Sequence, residues 1–134
     1  MKIVKLIPLA LISMNIYAAP IASTTTVITQ VQGGHVGEKL TLKSHHTYTI
    51  TNDTLQPITF YVRNRLCPSD WPDKCADTGV CGGIAPPMQT IHREFDYSTV
   101  VQYYSPGQKY VFAESQITGA VKSDSTDNKY LTVN

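Results

Sequence analysis

The chain has 134 residues, 42% of them hydrophobic, and its 11 Lys and Arg nearly balance its 10 Asp and Glu for a formal net charge of +1. That length suits a single domain with a modest core. The charges are scattered with no basic stripe, which argues against a nucleic-acid partner.

The first residues read as an export signal. Met1 to Lys5 is basic, Leu6 to Tyr17 is apolar, and Ala18-Ala19-Pro20 supplies small residues for cleavage. Cleavage is expected near Ala18, because a cut after Ala19 would place the fixed ring of Pro20 in the peptidase site. The apolar run is shorter than the roughly 20 residues of a spanning helix. The expectation is therefore a signal peptide at 1–18, a single domain at 19–134, a secreted or periplasmic location, and no stable membrane insertion after cleavage.

The remainder is rich in Thr, Val, Ile, Tyr and Ser, which fit pleated strands. In chain order, Thr24–Gln32 alternates with Val27, Thr29 and Val31 on one side, and Gly33-Gly34 ends it with a hinge. Leu40 and Leu42, then Tyr48 and Ile50, then Ile58, Phe60 and Val62 show the period of two of half-buried strands. Asn52-Asp53-Thr54 is read as an exposed turn and fits the acceptor pattern for N-glycosylation, relevant only where the host glycosylates exported chains. An irregular segment, Cys67 to Pro87, follows. Gln89–Phe95 is the one weak helical candidate. Tyr97–Tyr104 is a strand, Ser105-Pro106-Gly107-Gln108 a tight turn, and Lys109–Ala113 the returning strand. Ile117–Val121 is a further short strand, Ser123–Asn128 a polar turn, and Lys129–Val133 the last strand. Seven or eight short strands at hairpin spacing predict an all-β, antiparallel sandwich of the immunoglobulin-like type with a cysteine-containing loop.

Cys67, Cys75 and Cys81 lie in one segment, and an exported chain meets an oxidising compartment, so one disulfide and one free thiol are expected. Chain entropy does not choose among the pairings. Cys67–Cys81 is favoured because Cys67 ends a strand and Cys81 precedes the freely turning Gly82-Gly83, with Cys75 as the alternative partner. The spacings are not those of redox or zinc motifs. His45 and His46 are adjacent and must point to opposite faces of a strand. Nothing in the spacing requires a copper or zinc site from His46, His92 and a cysteine, so no metal and no other cofactor is expected.

Catalysis has little support: there is no nucleophile elbow, no HExxH and no phosphate-binding glycine loop. Binding has one pointer. Trp71 stands between Asp70 and Asp73 in a segment flanked by cysteines, and a tied loop with a central tryptophan makes a rigid recognition surface. The tyrosines Tyr97, Tyr103, Tyr104 and Tyr110 offer rings for stacking on sugars. Alternation puts Tyr104 on the opposite face from Tyr97 and Tyr103. The candidate binding residues are thus Trp71, Asp70, Asp73 and Tyr104, and the leading expectation is a non-catalytic module that binds a protein or glycan through the loop 67–87.

The alternating segment Thr24–Gln32 resembles the amino-terminal donor strand of fimbrial subunits. That resemblance implies an alternative role as a surface-assembly subunit that exchanges its first strand. A secreted enzyme or a periplasmic metal binder is the third reading.

Overall fold

The computed structural model describes residues 19–68 and 74–134. The signal segment 1–18 and the candidate binding residues Asp70, Trp71 and Asp73 lie outside the described residues. Eight strands follow in order: β1 (Ile21–Gln30), β2 (Lys39–Asn52), β3 (Ile58–Pro68), β4 (Ala76–Asp77), β5 (Cys81–Ala85), β6 (Gln89–Gln102), β7 (Gly107–Gly119) and β8 (Ser123–Val133). A smaller sheet in the order β1-β2-β6 faces a larger one in the order β4-β3-β7-β8, with β5 also pairing β3 on the β4 side. All strand pairs are antiparallel. The arrangement matches the expected immunoglobulin-like sandwich, with β1, β2 and β6 in the places of strands A, B and E, and β3, β7 and β8 in those of C, F and G.

Alternation fixes which residues face inward. Along β2 the even positions from Leu40 to Asn52 are buried. The segments around Leu40 and Tyr48, expected as two strands, form one, because the inward positions Ser44 and His46 between them are polar and hide the continuity. Each central strand carries a polar residue at the same level of the sandwich. Thr26 stands opposite His46 in the smaller sheet, and Asn64 opposite Ser115 in the larger. His46 Nδ1 and Ser115 Oγ are 2.7 Å apart, Ser44 Oγ and His46 Nε2 2.7 Å, and Thr26 Oγ1 donates to Ser115 Oγ at 2.9 Å. This polar layer divides the core. Leu40, Leu42, Leu66, Val101, Tyr103, Val111 and their neighbours pack on one side of it. Tyr48, Ile50, Phe60, Val62, Ala85, Ile117 and Val121 pack on the other.

Several sequence expectations are corrected. Gln89–Phe95 is not helical; it is the first half of β6, paired with β2 from Asn52↔Gln89 to His46↔Phe95. Lys109–Ala113 and Ile117–Val121 are not separate, since β7 runs unbroken through Ser115. Ser123–Asn128 is strand, and it is polar because its inward side meets β1. Thr24 Oγ1 and Ser123 Oγ are 3.1 Å apart, Thr26 Oγ1 and Ser125 Oγ 2.7 Å, and Ile28 N donates to Asp127 Oδ2 at 2.8 Å. In β1 the inward residues are Thr26 and Ile28, with Val27 exposed, and a bulge between Ile28 and Gln30 shifts the phase before Val31. Gly33 and Gly34 serve close approach. The chain crosses to the other sheet there, Gly34 N donating to Thr132 O at 3.2 Å and Asn134 N to Gly34 O at 2.9 Å, and a Cβ on Gly33 would collide with the Thr132 carbonyl.

The disulfide joins Cys67 to Cys75, the alternative pairing and not the favoured one, and Cys81 is a free, exposed thiol. Strand register explains the choice. The tiny β4 folds back so that Ala76 opposes Leu66, bringing Cys75 beside Cys67. Cys81 opposes Val62, five residues earlier on β3 and hence roughly 17 Å from Cys67 along the strand. Gly82-Gly83 is not a free turn but part of β5. Asn52 is not exposed either: its side chain is fully buried, which closes the glycosylation acceptor in the folded chain.

Candidate functional site: an aromatic cleft between the sheets

The two sheets are unequal, and the inequality makes the site. Among the described residues the smaller sheet ends at β6, while the larger one continues past β3 to β4 and β5. Phe95 and Tyr97, on the inward side of β6, are therefore only partly covered, while Tyr48 and Phe60 behind them are buried. The uncovered space is a cleft of about 150 Å³ lined mainly by Tyr48, Phe60, Phe95 and Tyr97, with Cys81, Gly82 and Gly83 along its β5 side.

The rings form an ordered wall. Tyr48 and Phe95 stack with centroids 6.0 Å apart, Phe95 and Tyr97 at 6.3 Å, and Phe60 meets Tyr48 edge-on at 5.8 Å. Tyr97 also lies edge-on against His46 at 5.2 Å, so the wall runs directly onto the buried polar layer. Burial raises the Tyr48 phenol above its ordinary value. Glycine is required opposite this wall: a Cβ on Gly83 would stand 2.5 Å from Phe60 Cζ. Thr78, also on the lining, is held by a tight local frame. Arg63 Nη2 donates to Asp77 Oδ2 at 2.6 Å, Gly79 N donates to Asp77 Oδ1 at 2.8 Å, and Thr78 N donates to Asn64 O at 3.0 Å. The Arg63 guanidinium holds the Asp77 carboxyl below its ordinary value.

The outer face beside β6 is charged. His45 Nδ1 lies 2.7 Å from Asp96 Oδ1, and His45 Nε2 and His92 Nε2 lie 3.6 Å and 3.7 Å from Glu94 Oε1. The hydrogen bond to Asp96 raises the His45 pKa. His46, on the opposite face as alternation requires, is 1% exposed, and burial lowers its pKa to about 4. His46 and His92 therefore cannot share an ion. Among the described residues no group of three or more His, Cys, Asp or Glu is placed to hold a metal ion. The Ser44–His46–Ser115 chain has a nucleophile beside an imidazole, but every member is about 1% exposed, so no substrate reaches it.

Tyr104 is exposed, as its alternation with buried Tyr103 requires. It lines a broad hollow with Lys39, Lys74, Val100, Val101 and Gln102, at the β4 end of the molecule and apart from the aromatic cleft. Sequence reasoning missed Tyr48, Phe60 and Phe95. Their signal was aromatic residues at the inward phase of three strands, with Gly82-Gly83 opposite.

No protein-family model matches the chain, and no curated protein matches it. Solved structures align with it only at low similarity. The CARDB domain of a Pyrococcus furiosus protein in complex with di-metal ions aligns over 85% of this chain and 94% of its own, at 10% identity and TM-score 0.43. Superoxide reductase (neelaredoxin) from Ignicoccus hospitalis aligns over 82% and 80%, at 10% identity and TM-score 0.38. Bacteroides uniformis β-glucuronidase 2 aligns over 87% of this chain at 11% identity and TM-score 0.44, and the chain spans only 14% of that enzyme.

Proposed function

We infer that this chain is an exported, non-catalytic interaction module that binds a protein or glycan at the aromatic cleft. The cleft joins the downstream part of the cysteine segment 67–87 to β6. The observation that carries the reading is the half-buried pair Phe95 and Tyr97, backed by buried Tyr48 and Phe60, in a cleft between sheets of unequal width. Rigid aromatic side chains in a concave setting supply contact area at small entropic cost, and two have polar tips for orientation. Export is supported by the basic, apolar and small-residue order of residues 1–19 and by an intrachain disulfide. No helix among the described residues is long and apolar enough to cross a membrane.

Cys81 provides the test, since it is the one free thiol and lies on the cleft lining. The secreted protein is applied to peptide and glycan arrays before and after coupling Cys81 to a bulky naphthyl maleimide. A specific hit that the adduct abolishes is the expected result, and hits untouched by the adduct would place binding elsewhere. Intact mass of the exported product should begin at Ala19; an unprocessed Met1 in that fraction would count against export by a cleaved signal.

A further inference from the structure

Resting on the interaction reading above, we propose that the outer edge of β6 takes up an extended segment of a partner protein as a fourth strand of the smaller sheet. One apolar side chain of that segment fills the aromatic cleft, and basic side chains on either side of it meet Glu94 and Asp96. β6 pairs with β2 through 14 consecutive register positions without a bulge. On its other side no strand pairs with it among the described residues. It carries no Pro, Lys or bulge; of the charged residues that guard an edge it has Arg93 at the inward phase and Glu94 and Asp96 on the outer face, which restrict what can pair there. Among the described residues, the space beside this edge opens onto the cleft, whose far side is formed by Cys81, Gly82 and Gly83 of β5.

The sequence of β6 specifies what would fit. In an antiparallel or parallel addition, a residue opposite Phe95 points the way Phe95 does, into the cleft. Its two neighbours lie opposite Glu94 and Asp96 and point to the outer face, where those carboxylates have 60% and 84% exposed side chains. The run Glu94-Phe95-Asp96 thus asks for basic–apolar–basic in the partner, and Tyr97 asks for a second apolar residue beyond. A volume of about 150 Å³ accommodates a benzene-sized group. A second copy of this chain is disfavoured in the registers centred on the charged stretch beside the cleft. In a two-fold β6–β6 pairing centred on Arg93, Glu94 or Asp96 that residue meets itself, and centred on Phe95 it sets Glu94 against Asp96, so each centre from Arg93 to Asp96 opposes like charges.

The test titrates the full mature protein with the peptide acetyl-Thr-Lys-Phe-Lys-Val-Lys-Thr-amide. Its controls are a version with Glu for each Lys and a scrambled peptide, Lys-Lys-Lys-Phe-Val-Thr-Thr, of the same charge. The expected result is slowed amide exchange along residues 94–98, with both controls at least about tenfold weaker. The Glu94→Lys/Asp96→Lys variant should reverse the preference between the Lys and Glu peptides, and the Cys81 adduct should abolish binding. Equal affinity for the scrambled peptide, no binding of the Lys peptide at millimolar concentration, or protection away from β6 would each overturn the proposal. So would a concentration-dependent dimer that protects β6 without peptide. A glycan hit sensitive to the Cys81 adduct, with no peptide binding, would overturn strand addition and leave the interaction reading standing.

Discussion

Asn52 and His46 are buried polar residues whose partners are fully specified. Asn52 Nδ2 donates to the carbonyls of Gln56 at 2.9 Å, Ala85 at 3.0 Å and Pro86 at 3.1 Å, while Oδ1 accepts from Thr54 N at 3.0 Å. The side chain ties the end of β2 to the β5–β6 connection. Asn52→Asp would turn a carboxylate oxygen toward those carbonyls. It should cost about 3 kcal/mol or more in urea unfolding, and a loss below about 1 kcal/mol would show that the tie is dispensable. His46 sets a pH dependence. Burial holds its imidazole at about 4 against 6.5 when exposed. Between those values the unfolded chain binds a proton that the folded chain refuses. Stability therefore falls as pH drops from 6.5 through 4, by on the order of 3 kcal/mol. His45 acts in the opposite sense: its pKa is raised, chiefly by the Asp96 hydrogen bond, so its contribution is present below 6.5 and fades as pH rises through the raised value. Stability between pH 4 and 8 should then peak near or slightly above 6.5. His46→Gln should flatten the acid limb and His45→Gln the neutral one. An acid limb unchanged in His46→Gln would assign the effect to other groups.

The disulfide belongs to the scale of elements, because it fastens β4 to the end of β3. Replacing Cys67 and Cys75 by Ser should cost about 2.5 kcal/mol by the loop-entropy relation for so short a ring. Native labelling should modify one thiol per chain, at Cys81, and peptide mapping that finds Cys75 modified would contradict the pairing. This bridge was only half legible in the sequence. Three clustered cysteines announce a staple, but the choice of partner depends on a two-residue strand too short to leave a pattern. The long strands were legible wherever inward positions are apolar, as at Leu40, Leu42, Ile58 to Val62 and Val111. They were obscured where the polar layer crosses them, at Ser44, His46 and Ser115, and where Ser123, Ser125 and Asp127 turn inward to meet β1. The cleft was not legible, because no local pattern in Gln89–Gln102 tells that the smaller sheet stops there. Only the register of β6 on β2, set against the extra strands beyond β3, reveals the unequal widths of the sheets among the described residues.

At the scale of the molecule, β1 decides between a self-contained domain and an assembling subunit. It pairs at home, from Ile21↔Thr51 to Ile28↔Ser44 on β2, and the Thr24 and Thr26 hydroxyls and the Ile28 backbone N–H bond to Ser123, Ser125 and Asp127 of β8. Past Gly33 the chain then adds a parallel bridge, Gly34↔Val133, so the first strand is anchored to both sheets. Deleting residues 19–32 would uncover buried Ile28 and strip the cross-strand bonds, with an expected loss of at least about 3 kcal/mol. The exposed edge of β2 should also make the truncated protein aggregate. Gly33→Ala tests the anchor without deletion: crowding of the Thr132 carbonyl should cost about 1–3 kcal/mol and leave the protein monomeric. Sedimentation and thermal melts of the three proteins separate the two roles. A home-paired strand gives a full-length monomer and a less stable, aggregating truncation. A donor strand gives head-to-tail polymers of the full-length chain that vanish on truncation. The hydrogen bonds to β8 and the crossing at Gly33 and Gly34 would all have to break before β1 could leave. The monomer is therefore the expected outcome, and polymers lost with residues 19–32 would overturn both it and the interaction-module reading.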